Sequence, residues 1–360
     1  MSVRHQYAFL RLSLLMASVL MACVRPLEFD QEAAEQRIQI YGRITTHPGP
    51  YDIVINRTQT FGDVRPAGVE GVIAFLVEDG IRQEQFQEGK NGHYRTSGEI
   101  IGRPGREYWI DIRLPDGRHI LSRPEMMPEM ISIDSMQWEL RDKILPRSAG
   151  LAQFQKFIDV FLHTSIPEQA EGPYLRWEAE DAWSFTEKDS IDWPFDIPET
   201  CYLLGQKPNP QAIMLFDGDR HNSGPWRDQF LASRRVDSSF TERHIFLGFQ
   251  SVLTRSAFEY WQRLDQVVNL QGTIFDAPPA PIGGNLYDAD RPNTQILGFF
   301  EANAVDTAFS RIVATDFATE YVVEVYCFRF PWDVKAIYPS HCYNCEKIPG
   351  MIKERPYYWD

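Results

Sequence analysis

Four cysteines stand late in the chain, Cys201, Cys327, Cys342 and Cys345, and a fifth, Cys23, lies near its start. Thiols can pair as disulfides, hold a metal or cycle electrons. Cys342-Tyr343-Asn344-Cys345 is a C-x-x-C with His341 beside it, but a zinc site needs four ligands, usually from a second C-x-x-C or an H-x-x-x-H, and neither is present. A thioredoxin-like motif expects its C-x-x-C in a βαβ unit, whereas this one falls amid Tyr, Pro and Asn. An even number of cysteines in an exported chain is the pattern of structural disulfides, so these four are disulfide candidates with three possible connectivities.

The carboxylates invite two further chemistries. Asp217-Gly218-Asp219 and Asp288-Ala289-Asp290 could offer oxygens to Ca²⁺, but neither loop has the Gly at position six and the Glu at twelve of an EF-hand. Turn chemistry is the expected reading of both. In an extended strand Glu178 and Glu180 share a face roughly 7 Å apart, a spacing within the range of inverting glycoside hydrolysis. Exposed strand faces carry such pairs routinely, and no H-E-x-x-H, G-x-S-x-G, G-x-x-x-x-G-K-[ST] or G-x-G-x-x-G accompanies them. No two of the seven histidines after residue 22 are three or four apart, which excludes a metal pair at helical spacing. No catalytic residue, metal or cofactor is therefore assigned, and an enzyme is not expected. In the loop Asp189–Pro198, Trp193 and Phe195 lie outside any periodic segment, so they are candidate partner or ligand contacts.

Cys23 belongs to a different chemistry. Arg4, His5 and Arg11 precede the mostly apolar run Leu12–Met21, followed by Ala22, which is the layout of a secretory signal peptide. The run is too short to span about 30 Å of hydrocarbon. Leu20-Met21-Ala22-Cys23 resembles a bacterial lipobox, which makes Cys23 the expected lipidation site. Two acyl chains, at about 0.8 kcal/mol per buried CH₂, anchor stably where one is marginal. Residues 24–36 then carry Glu28, Asp30, Glu32 and Glu35 and read as an acidic tether.

These residues must be positioned by β structure. Residues 37–125 show short alternating strands separated by Asp79-Gly80, Asn91-Gly92 and Pro115-Asp116-Gly117 turns, the pattern of an immunoglobulin-like β-sandwich. Ser122–Glu129, with two prolines, reads as a linker. Residues 126–360 read as a larger β-rich domain, with strands expected at Ile131–Leu140, Phe157–Thr164, Tyr174–Phe185, Cys201–Leu204, Ala212–Phe216, His244–Leu253, Ile296–Ala302 and Tyr321–Phe330. The alternation places Leu175, Trp177, Ala179, Asp181, Trp183 and Phe185 on one face. One helix stands out at Ser256–Val268, with a capping box of Ser256 and Glu259.

Length and charge bound the rest. The 360 residues suggest two domains large enough for their own cores. With 36 Lys+Arg against 50 Asp+Glu, a net charge of -14 argues against nucleic acid or an anionic surface as main partner. Removing residues 1–22 takes away Arg4 and Arg11, leaving 34 basic against 50 acidic residues and a charge of -16.

The segments SAFEYWQRL, IFDAPPAPIGGN and ILGFFEANA between Ser256 and Ala304 resemble, in order, the Bacteroidetes-type lipoproteins of domain-of-unknown-function family 4249. The resemblance extends to Cys23, IQIYGRIT, KNGHYRT, REYWIDIRLPDG, YLRWEAEDAW, Cys201, Cys327, Cys342-x-x-Cys345 and the tail Pro356-Tyr357-Tyr358-Trp359. It departs at Tyr202, where the family has Trp after the Cys, and at Glu346, where it has a basic residue. The resemblance implies an outer-membrane lipoprotein that accompanies a TonB-dependent β-barrel transporter, and the acidic residues just after Cys23 add the expectation of surface exposure, so the chain is read as its accessory or substrate-capture partner. The alternative is a structural or assembly component of an outer-membrane complex with no ligand of its own. A surface enzyme acting through Glu178 or Glu180 ranks third.

Overall fold

The computed structural model describes residues 36–58, 67–146, 152–168, 172–188, 197–208, 213–221, 223–269, 282–317, 327 and 339–359. The expected signal peptide, Cys23, the expected acidic tether up to Glu35, Trp193, Phe195 and the strand expected at Tyr321–Phe330, apart from Cys327, lie outside these residues. Among the described residues the chain is mainly β, with one α-helix, and no helix is long and apolar enough to cross a membrane.

In the strand Ile38–Thr45 the odd and even positions part company. Ile38, Ile40 and Ile44 are buried, while Tyr41 and Arg43 face the other way. The strand pairs antiparallel with Asp52–Arg57, which continues to His93–Arg95 and Gln87–Glu88. A second sheet, built from Ile73–Glu78, Ile81–Gln85, Glu107–Arg113 and His119–Ser122, closes over it. Ile40, Ile53 and Ile55 of the first sheet meet Leu76, Ile110 and Ile112 of the second in one core. The hairpin turns form where the sequence puts them. Asp79 and Gly80 have φ of 46° and 84°, and Asn91 and Gly92 have 56° and 75°, the positive values a type I′ turn requires.

The second sandwich follows the same logic. Tyr174–Thr186 is flanked by His244–Leu253 on one edge and by Thr200–Gln206 and Met214–Asp217 on the other. The sheet Ile133–Pro146, Ala152–Ile166 and Gly224–Arg235 packs against it, with Ile158, Val160 and Leu162 set against Leu175, Trp177 and Phe246. The first two of these strands run longer than the alternation predicts, because they continue beyond the core as a two-stranded ribbon.

The sixteen-residue strand Leu297–Ile312 belongs to both sandwiches. Leu297–Asn303 pairs in parallel with Gln39–Thr45, and Ala304–Ile312 pairs antiparallel with His244–Val252. Just before it, Leu286–Asp288 pairs with His119–Ser122, so residues near 300 complete the sandwich begun at residue 38. Pairing therefore crosses the boundary placed at residue 125. At Gly298, φ is 99° and a Cβ would meet the Ile40 carbonyl oxygen at 1.8 Å, so only glycine lets the two strands approach.

The Ser122–Glu129 segment is pinned rather than loose. Glu125, 4% exposed, accepts from Thr254 Oγ1 at 2.5 Å, from Ser256 Oγ at 2.6 and 2.9 Å and from Asn285 Nδ2 at 3.0 Å. That contact also moves the helix cap. The helix runs from Arg255 to Val268, and Thr254, not Ser256, accepts the Ala257 N–H, because the Ser256 hydroxyl is given to Glu125.

Candidate functional site

Strand alternation leaves one continuous outer face on the shared sheet, carrying Tyr41, Arg43, Arg176, Glu178, Glu180, Phe249, Ser251, Glu301 and Asn303. Two pieces of chain cover parts of it. The helix packs Ala257, Phe258 and Tyr260 on Tyr174, Leu253 and Phe299. The C-terminal residues set Trp359 against Tyr202, Ile245 and Leu247. This cover explains why Tyr174–Thr186 is buried on both faces, where alternation predicts one.

Beneath the helix lies a buried charge network. Arg176, whose side chain is 3% exposed, meets both oxygens of the fully buried Glu301 at 3.1 Å. Glu301 also accepts from Tyr41 Oη at 2.9 Å, Trp261 Nε1 at 2.9 Å and Asn303 Nδ2 at 2.6 Å. The Arg176 guanidinium lies 4.2 Å from the centre of the Trp261 ring. A charge taken out of water must find such partners, and these five side chains supply them. The network then reaches the surface, where Glu178 Oε2 accepts from Arg176 Nη2 at 3.3 Å and from Arg43 Nη1 at 2.8 Å.

The protonation states follow. Burial pushes the Glu178 carboxyl up, but the charges of Arg176 and Arg43 outweigh it and hold the group at about 2. Burial works against the Arg176 charge as well, and Glu301 foremost overrides it, so the guanidinium stays above its ordinary value. Burial, and then the Glu301 charge, raises the Tyr41 hydroxyl. Glu180 moves the other way from Glu178: burial raises its carboxyl, with Lys207 opposing and Glu178 adding.

Where the cover stops, a cleft of about 440 Å³ opens along the seam of the two sandwiches. Tyr41, Arg43, Thr45, His47, Tyr51, Asp52 and Val54 line it from the first sandwich, and Glu178, Lys207, Phe249, Ser251 and Val305 from the second. Its volume falls in the range of small-molecule sites, and aromatic and charged groups converge on it.

The residues singled out from sequence have different fates. Cys201 bonds Cys345 and Cys327 bonds Cys342, so the C-x-x-C cysteines pair outward and not with each other. Cys327, His341 and Cys342 offer ligand atoms within 4.8 Å of one another, but both sulfurs are tied in a disulfide and no thiolate is left for a metal. Both disulfides sit in a core with Trp183, Phe185, Ile348 and Met351, away from the cleft lining. The Asp loops are turns: Asp217 Oδ1 accepts the Asp219 N–H at 3.1 Å, and Asp288 Oδ1 accepts the Asp290 N–H at 3.0 Å. Glu178 is committed to two guanidiniums, which leaves it poorly placed to take a proton from water.

Sequence reasoning missed Arg43, Arg176, Lys207, Glu301 and Trp261. A signal was present. Glu301 in GFFEAN is a lone charge inside an otherwise apolar strand segment, Arg176 in YLRW is flanked on both sides by apolar residues, and a charge at such a position needs a buried partner. The segments that carry the resemblance, IQIYGRIT, YLRWEAEDAW, SAFEYWQRL and ILGFFEANA, supply this network between them.

A search of the curated proteins finds nothing that matches the chain. The family model for a domain of unknown function, DUF4249, matches residues 24–308, a span that takes in the strand shared by both sandwiches as far as Ala308 and every residue of the charge network. The chain belongs to the DUF4249 family.

Proposed function

We propose that this protein is an outer-membrane lipoprotein, anchored through Cys23 and surface-exposed, that acts as accessory or substrate-capture partner of a TonB-dependent β-barrel transporter. The capture role rests on the seam cleft, the place where an otherwise covered sheet face is open and where charged and aromatic groups from both sandwiches converge. The lipobox at Leu20–Cys23 and the family resemblance support the anchoring and the partner. The test is recovery of the native protein from gently solubilised outer membranes after crosslinking. A large β-barrel should come down with it, and Cys23 should carry acyl chains. Recovery as a free monomer sinks the partnership, and an unmodified Cys23 sinks the localisation.

A second reading is a structural component of an outer-membrane complex, and the ribbon beyond the second core favours it. There Ile144 and Phe154 pair across the strands while 60% and 69% exposed, which leaves apolar side chains open to a protein neighbour. This reading predicts an envelope defect on deletion that does not depend on the nutrient source.

A further inference from the structure

We infer that the seam cleft takes a small organic oxyanion, its charged head held by Arg43 and Lys207 and its apolar body lying against Tyr51, Val54 and Phe249. This deepens the capture reading and rests on it. The formal charges around the cleft nearly balance, but the hydrogen-bonding capacity left over does not.

The carboxylates facing this space already hold donors. Asp52 accepts both arms of the Arg95 fork, at 2.7 and 2.8 Å. Glu178 Oε2 accepts from two guanidiniums, and Glu301 beneath it accepts from four side chains. The cations differ. Arg43 commits only Nη1, and its side chain is 43% exposed, so Nε and Nη2 remain for a ligand. Lys207 is exposed at the rim and makes no hydrogen bond or ion pair among the described residues, although its charge is felt by both Glu178 and Glu180. His47 adds one long contact, 3.5 Å from Nε2 to Thr307 Oγ1.

A site with spare donors and carboxylates already engaged selects an acceptor-rich ligand, and two cations that reach the cleft from its two sides, Arg43 from the first sandwich and Lys207 from the second, select a negative one. Arg43 is also held ready. Glu178, itself gripped by Arg176, fixes one edge of the guanidinium and leaves the remaining N–H groups for a planar two-oxygen head. Carboxylate and phosphate share that geometry, so the class is an oxyanion on an apolar body.

The test titrates the full chain, solubilised in detergent, with benzoate, phenyl phosphate and neutral benzyl alcohol, read by calorimetry. At least one anion should bind tenfold or more tightly than benzyl alcohol, and the stronger of the two tells carboxylate from phosphate. Arg43→Gln should weaken that binding at least tenfold. Lys207→Gln, a substitution at an exposed position, should weaken it about threefold. Equal binding of benzyl alcohol, no binding of either anion at millimolar concentration, or unchanged binding in the double variant overturns the inference. The crosslinking experiment on the wild-type protein reports separately. A barrel recovered without anion binding overturns this inference alone, and anion binding without a barrel overturns the partnership alone.

Discussion

At the seam, Tyr41 reaches Glu301 across 260 residues of chain through a hydrogen bond at the edge of a buried ion pair. Near the C-terminus, Cys201 reaches Cys345 across 144 residues through one covalent bond. Both fasten distant parts of the same molecule, yet they respond to different variables. The disulfide acts mainly by restricting the unfolded chain, whatever the pH or salt. The ion pair acts in the folded state, where desolvation opposes it and each partner is stable only because the other is present. The covalent fastening lies in a closed apolar core, whereas the ionic one borders an open cleft. A site that must meet a polar ligand needs charges in its floor, and a crosslink needs none.

The largest effect separating the two should come from removing the long disulfide. Closing a loop of 144 residues contributes about 5 kcal/mol in the chain-entropy account, against about 3 kcal/mol for the 15-residue loop of Cys327 and Cys342. Urea unfolding of Cys201→Ser with Cys345→Ser should show the larger loss. A larger loss from the short loop would mean that packing of the tail, not chain restriction, governs this region.

Glu301→Ala should follow, at about 3–4 kcal/mol, because it strands the Arg176 guanidinium in a buried site. Adding Arg176→Met should recover much of that loss, since an apolar pair needs no partner charge. No second substitution restores the crosslink in the same way. If the double variant is as unstable as the single, the hydrogen bonds from Tyr41, Trp261 and Asn303 matter more than the charge.

Acid separates the two fastenings next. Glu178 is held at about 2, below its ordinary 4.5, so the unfolded chain binds its proton more readily than the folded one does. Its contribution, on the order of 2 kcal/mol, is fully present above about pH 4.5 and is lost as pH falls towards 2. Glu180, whose carboxyl is raised, has the opposite sign and partly masks this slope. Glu178→Gln should flatten the decline below pH 4.5, and the cysteine variants should leave it unchanged. Chemical denaturation between pH 5 and 2.5 measures both.

Much of the covalent region could be read before any coordinates, and little of the ionic one. Cys201, Cys327, Cys342 and Cys345 declare their chemistry by residue type, so only the pairing needed a structure. The sandwiches were also legible, because Ile38, Ile40 and Ile44 alternate with Gln39, Tyr41 and Arg43, and because Asn91-Gly92 fits one kind of turn. Two things were hidden. The parallel pairing of Gln39–Thr45 with Leu297–Asn303 joins segments more than 250 residues apart, and no local pattern encodes such a partner. The network inherits that difficulty, since Tyr41, Arg176, Trp261 and Glu301 sit on four separate elements. The sequence does mark Arg176 and Glu301 as anomalous; it does not say that they meet.

The smallest effect tests whether the aromatic cover of the seam is chemical or merely apolar. Trp261 donates its indole N–H to Glu301 and lays its ring over the Arg176 guanidinium. Trp261→Phe keeps an aromatic face for the cation and loses the donor. One hydrogen bond to a charged acceptor contributes about 1.5–3 kcal/mol, but four other contacts to Glu301 remain to absorb the loss. The expected cost is therefore about 1 kcal/mol, and Trp261→Leu, which also removes the ring quadrupole, should cost about 1 kcal/mol more. Equal losses for Phe and Leu would mean that the ring face adds nothing beyond bulk. The buried ion pair would then be held by its hydrogen bonds alone, and the helix would serve the seam only as a lid.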